Sequence, residues 1–235
     1  DTFGITAENI SFDMAKMYSR KNQTVTRLRS GVEQLLKANK VTRLEGTGTI
    51  EARGSVKFVS ADGTEEILKA ENILIASGSK PSYTKFPGSD LPGVITSDEL
   101  LENSSSVKKK LLVLGGGVIA VEFASVFANL GCEVTIAVRS RLMRTWDDEI
   151  SKNLGVILKK RGIKVYGQSA IKEVVKTENG LVCRFTSADK EIEIETDSIL
   201  VANGREPETD GLFGEGFSLS MERGFISVNE KFEPS

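Results

Sequence analysis

Residues 109–122 read Lys-Lys-Leu-Leu-Val-Leu-Gly-Gly-Gly-Val-Ile-Ala-Val-Glu, and the rest of the chain can be arranged around them. Two lysines lead into the apolar run Leu111–Leu114, which shows no alternation, as expected for a strand buried on both faces. The glycines 115–117 end that run. Residues Val121–Leu130 then carry apolar and small side chains at helical spacing, and a second apolar run follows at Glu133–Val138. Strand, glycine loop, helix and strand in this order form a βαβ unit. Further on, Asp147, Asp148 and Glu149 suit the positive end of a helix. That helix is expected to bury Ile150, Leu154, Ile157 and Leu158, to stop at Gly162, and to lead into a strand at Ile163–Val165.

The unit closes on a meander. Ala170–Val175, Leu181–Phe185 and Glu191–Ile194 are separated by Glu178-Asn-Gly180 and Ser187-Ala-Asp189, and a last apolar strand stands in TDSILVANGREP, residues 196–207. An earlier stretch repeats this arrangement. Gly46–Ile50, Ser55–Val59 and Glu65–Leu68, with turns at Ala52-Arg-Gly54 and Ala61-Asp-Gly63, precede AENILIASGSKP at residues 70–81. Ile73, Leu74, Ala76, Gly78 and Pro81 are identical to Ile199, Leu200, Ala202, Gly204 and Pro207. The repetition reads as a duplication, with both apolar strands expected in buried sheets. The fold class is therefore α/β: a Rossmann-like domain with a parallel sheet and a three-stranded meander, plus the partial remnant of a related domain.

Composition removes several function classes. The 235 residues, at ~100–200 residues per domain, suggest two domains. Lys+Arg 31 against Asp+Glu 33 gives a net charge of −2, so no basic field points to nucleic acid or an anionic membrane. No apolar run approaches the ~20 residues of a membrane span. Two cysteines do not make a disulfide framework, which favours a reducing, cytoplasmic location. With no histidine, Ser–His and Cys–His pairs are excluded and no metal site is expected.

The glycine loop Gly115-x-Gly117-x-x-Ala120 sits between a strand and a helix, the context in which it binds a pyrophosphate. Gly115 permits the tight turn, Gly117 lets backbone approach the phosphates, and Ala120 lets helix pack on strand, while the helix N-terminus supplies amide donors. The partner is thus a small-molecule dinucleotide. Its identity is read at the end of the second strand, where NAD sites carry an acidic residue for the ribose 2′-hydroxyl. Here stands Val138, followed by Arg139, Ser140 and Arg141, with Arg144 close behind. Guanidinium forks suit a 2′-phosphate, so NADP is expected, with NAD as the alternative.

Together these residues resemble the pyridine nucleotide–disulfide oxidoreductases, the family of dihydrolipoamide dehydrogenase, glutathione reductase and mercuric reductase. Ile73-Leu-Ile-Ala-Ser-Gly-Ser79 is similar to the family's second flavin motif, with Ser77 for the usual Thr; Gly115–Glu122 is similar to its nicotinamide-domain loop, and Asn203-Gly-Arg-Glu-Pro207 to its G-R-x-P turn. The resemblance implies an FAD domain interrupted by an NAD(P) domain, in a homodimer whose parent is an oxidoreductase. It assigns Ser77 and Gly78 to FAD. It places Gly115, Gly116, Gly117, Val118, Ile119, Ala120 and Glu122 near the nicotinamide cofactor, with Val138, Arg139, Ser140, Arg144 and Gly204. Glu122 would lie near flavin and nicotinamide. Val118 stands where glutathione reductases have a gating tyrosine, and Glu208 where the family has Asn, so those details do not transfer.

On this reading residues 1–80 are a partial FAD domain, 81–108 a connection, 109–213 the NAD(P) domain and 214–235 a return segment. Ile10–Lys40 is expected as one long helix, breaking near Gly31, with Phe12, Met17, Val25, Leu28, Val32, Leu35 and Leu36 as its apolar set. Ser104–Val107 is a short polar connection, and residues 214–235 are expected to be poorly anchored. The family's first flavin loop, redox Cys-x4-Cys helix and C-terminal dimerising domain are not among these residues, and Cys132 and Cys183 read as core residues. The chain is expected to be a fragment of a flavoprotein, with no catalytic residue of its own, inactive alone and not retaining the FAD of the full-length protein. The alternative is a stand-alone dinucleotide-binding module without catalysis.

Overall fold

A long helix, α1 (Met14–Ala38), is followed by a meander of β1 (Gly46–Ala52), β2 (Ser55–Ser60) and β3 (Glu65–Lys69). Next come β4 (Ser79–Pro81), β5 (Val94–Thr96) and the short α2 (Ser97–Glu102). The βαβ region contains β6 (Lys110–Leu114), α3 (Val118–Asn129), β7 (Glu133–Ala137), α4 (Asp148–Lys160) and β8 (Lys164–Tyr166). A second meander, β9 (Ser169–Thr177), β10 (Gly180–Ser187) and β11 (Lys190–Thr196), precedes β12 (Ser198–Val201), β13 (Arg205–Pro207) and the hairpin β14 (Met221–Glu222) and β15 (Phe225–Ile226). The computed structural model describes residue 4 and residues 8–9, 11–103 and 109–234; the expected helix start at Ile10 and the polar connection 104–107 lie outside them.

The chain divides into two units, one holding the residues up to Thr24 with Pro81–Gly204, the other Val25–Lys80 with the residues from Arg205. The first is built on a parallel sheet in the order β5-β12-β6-β7-β8. Successive residues of β6 serve opposite faces, as a strand requires. Leu111 and Val113 pack with Ala120, Ala124 and Phe127 of α3 and Leu158 of α4. Leu112 and Leu114 pack with Val174, Leu181, Cys183 and Phe185 of the meander. Helices therefore cover one face and the β9–β10–β11 sheet the other. Residues 81–103 contribute β5 to this sheet and α2, whose Thr96 and Glu99 form a reciprocal capping box.

Helix α4 follows its N-cap, Asp147, whose side chain accepts from the Glu149 amide at 2.8 Å. Its buried residues are Ser151 and Leu158, with Leu154 partly buried, whereas Ile150 and Ile157 are 48% and 46% exposed. The expected stripe is thus corrected by rotation about the helix axis: Ser151 lies on the buried face beside Leu154 and Leu158, and its hydroxyl is satisfied there by the Leu142 carbonyl at 2.6 Å.

In the second unit β1, β2 and β3 form an antiparallel sheet. The return segment is tied to it: the Ile50 amide donates to Leu212 at 2.8 Å and the Gly214 amide to Ile50 at 3.0 Å. Two expectations fail. The helix α1 runs through Gly31 without a break, since one glycine costs only about 1 kcal/mol in a helix of 25 residues. None of its residues is buried, and Leu28 and Leu35 are largely exposed. The run Ile73–Ala76 forms no strand, and Leu74 is 92% exposed, because no strand among the described residues pairs with it.

Candidate dinucleotide site

The C-terminal ends of β6, β7 and β12 meet at the glycine loop. Gly115 has φ +135, and a Cβ there would overlap the carbonyl of Ala202 at the end of β12. Its amide donates to Ala137 at the end of β7, at 3.0 Å. Gly116, the variable position of the motif, proves equally constrained. A Cβ on it would overlap the Val138 side chain and lie 3.4 Å from the Arg141 carbonyl. Around Gly117 there is open space, and it caps α3 without any side-chain hydrogen bond. The first amides of a helix have no partner within it, so this end can receive an anion.

Val118 and Glu122 are exposed on α3, Ile119 is half-buried, and Ala120 is fully buried against the sheet, the close packing expected of it. Val138 is buried, with its side chain packed beside Gly116. Arg139, Ser140 and Arg144 are exposed. Among the described residues, neither the Arg139 nor the Arg144 side chain makes a hydrogen bond or ion pair. Gly204, φ +124, ends this unit, and its carbonyl accepts from the Ser82 amide at 2.9 Å. The loop, Val138–Ser140, Arg144 and Gly204 thus share one unit. Ser77 and Gly78 belong to the other, where both are exposed. There the Glu208 amide donates to the Gly78 carbonyl at 3.1 Å, and Arg205 donates to the Ser79 hydroxyl at 2.8 Å. Lys80 pairs with Asp210 and Glu208, which together raise its pKa.

Sequence reading grouped Arg141 with the arginines after Val138 but gave it no role of its own, and it passed over Met143. The Arg141 guanidinium donates to the carbonyls of Arg144 and Trp146, both at 3.0 Å, and pairs with Asp148 at 2.7 Å. The Met143 amide donates to Gly116 at 2.6 Å, from a left-handed backbone with φ 46. One signal was available: a glycine at the variable place of the motif marks something packed closely against it.

A family model described as pyridine nucleotide-disulphide oxidoreductase matches residues 4–235. The chain belongs to this family. Among pyridine nucleotide-disulphide oxidoreductases it is 36% identical over 230 residues to a dihydrolipoyl dehydrogenase of Trypanosoma brucei brucei, covering 95% of this chain and 48% of that protein. It is 32% identical over 231 residues to the Zymomonas mobilis dihydrolipoyl dehydrogenase, covering 97% and 49%. The chain spans about half the length of the curated relatives it matches. Among solved structures it superimposes on the HOCl-induced flavoprotein disulfide reductase RclA from Escherichia coli with TM-score 0.80 at 27% identity, over 95% of this chain and 50% of that one.

Cys183 lies fully buried in β10, where burial pushes its thiol up to about 12, and half-buried Cys132 is also raised by burial. Among the described residues no helix is long and apolar enough to cross a membrane, and no group of His, Cys, Asp or Glu could hold a metal ion.

Proposed function

We propose that this chain supplies the NADP(H) site of a flavoprotein disulfide reductase. The pyrophosphate lies against the Gly115–Ala120 loop and the amides opening α3, and the 2′-phosphate on Arg139 and Arg144. The observation that carries this reading is the end of β7: the acidic position is taken by buried Val138, and exposed Arg139 and Arg144 beside it have no other partner among the described residues. Open space at Gly117 and the uncapped start of α3 fit a pyrophosphate at the same end. Ser77 and Gly78 on residues 1–80, in this proposal part of an FAD domain, contact the flavin. A bound flavin would accept hydride from the nicotinamide, with Glu122 near both. The cysteine pair that the family name implies is not Cys132 with Cys183.

Titration calorimetry with NADPH and NADH, on the wild type and Arg139→Ala, tests the assignment. Loss of a charge-assisted fork should weaken NADPH binding by about 1.5–3 kcal/mol and leave NADH unchanged. NADH binding as tightly as NADPH would favour NAD as the cofactor and leave Arg139 a solvated turn residue.

A further inference from the structure

The segment from Arg139 to Asp147 joins β7 to α4 and carries both proposed phosphate contacts, yet neither arginine holds the segment in place. Arg141 does. Its Nη2 reaches the Arg144 and Trp146 carbonyls and the Asp148 carboxylate, so one side chain fixes the backbone on both sides of Thr145 and the lead into α4. The segment is held elsewhere too. The Met143 amide is bonded to Gly116 of the glycine loop, and the Gln168 amide to the Ser140 carbonyl at 3.2 Å. Asp148 is 76% exposed, and an ion pair in solvent contributes little; the two carbonyls, both reached by the single nitrogen Nη2, are the informative contacts.

The segment keeps two unfavourable features. Met143 holds a left-handed backbone, and Arg141 Nη1 is buried without a hydrogen-bond partner among the described residues. Such costs persist where surrounding structure imposes them, and they gather at ligand-holding segments. The geometry also divides the three arginines by role: Arg141 is occupied by backbone, while Arg139 and Arg144 are exposed and unpaired among the described residues.

We propose that Arg141 is a positioning residue for nucleotide selectivity: it holds residues 139–147 so that Arg139 and Arg144 face one 2′-phosphate, and it does not itself touch that phosphate. This rests on the NADP(H) reading above. Without the fork, Arg144 loses the carbonyl contact that sets its place relative to Arg139, while the pyrophosphate end of the site at Gly117 keeps its own backbone. Arg141 therefore acts on the difference between NADPH and NADH rather than on their common part.

The test uses the whole chain as wild type, R141Q, R144A and R141Q/R144A, titrated with NADPH, NADH and adenosine 2′,5′-bisphosphate. R141Q should weaken NADPH and the bisphosphate about tenfold, and NADH less than about twofold. The double variant should bind NADPH no more than about twofold more weakly than R144A alone, since both changes remove one function. Trp146, the single tryptophan, should become more open to acrylamide quenching in R141Q. If R141Q unfolds, R141K, which keeps a charge opposite Asp148 but whose ammonium ends one bond short of the place of Nη2, should still lose several-fold in NADPH preference. A wild type without NADPH preference would overturn the NADP(H) reading before any variant is compared. With that preference present, its survival in R141Q, or in R141K where R141Q unfolds, would overturn the positioning role alone. So would equal losses for both nucleotides, additive losses in the double variant, or unchanged quenching.

Discussion

Residues 70–81 and 196–207 share Ile, Leu, Ala, Gly and Pro at the same places, yet they end in opposite environments. Leu200 is fully buried in β12, which pairs with β5 on one side and β6 on the other. Its counterpart Leu74 is 92% exposed on a stretch with no strand pairing. The approaches to the two runs differ as well. The Asp197 carboxylate accepts from the Lys109 and Lys110 amides at 2.9 and 2.8 Å, and the Thr196 hydroxyl donates to the Lys110 carbonyl, whereas Glu71 in the first copy is simply exposed. An apolar run becomes a strand when neighbours supply hydrogen-bond partners along both edges; its own propensity is not enough. The meanders differ in the same sense. Leu181, Val182, Cys183 and Phe185 of β10 are buried, while in β2 only Ser55 is.

Pairs of matched substitutions can break or sharpen this contrast. In urea unfolding, Phe185→Ala should cost about 3–5 kcal/mol, since it empties a fully buried site and removes the edge-on contact with Tyr166 at 5.5 Å. Phe58→Ala, in partly exposed β2, should cost clearly less. Leu200→Ala should cost about 2–5 kcal/mol, and Leu74→Ala should stay within about 0.5 kcal/mol. A large effect at Leu74 would mean that the first copy is packed in solution.

The third effect depends on pH. Burial raises the folded Cys183 thiol from 9.0 to about 12, so the folded state holds its proton more tightly than the unfolded chain does. That contribution is fully present below pH 9 and is lost as pH rises from 9 towards 12. The loss amounts to at most about 1.4 kcal/mol per pH unit. Stability measured against pH in wild type and Cys183→Ala should differ in slope above pH 9 and run parallel below it. The smallest effect lies on the exposed face of the same meander, where Arg184 bridges Glu173 and Glu193 at 2.8 and 2.7 Å. Arg184→Gln should lower stability only slightly in the same urea unfolding, and less still in high salt.

Local signals were legible where the chain itself determines the outcome. The glycine loop, the Asp147 cap and the turns of both meanders depend on residues close in sequence, and they stand where the sequence places them. What it could not show depends on partners from afar. Ser151 could join the buried face of α4 only because a carbonyl from outside the helix, that of Leu142, accepts its hydroxyl, which the helix's own pattern does not show. The role of Arg141 needs the positions of two carbonyls beyond it, and the fate of Ile73–Ala76 needs a neighbouring strand. That Val138 stands where an acidic residue is usual, with Arg139 and Arg144 after it, is legible in the sequence alone, but their exposure was not.

The bond between the Ser82 amide and the Gly204 carbonyl, 2.9 Å long, brings together the two ends of a stretch of well over a hundred residues. The chain leaves one unit at Lys80 and re-enters it at Arg205, so everything between spans almost no distance at its base. To the surrounding polypeptide such an insert has the footprint of a tight turn, and joined ends are what make insertion and permutation tolerable. A gene segment encoding residues 81–204 could therefore be lost, gained or exchanged in a single recombination event without altering the spacing of the sequence on either side.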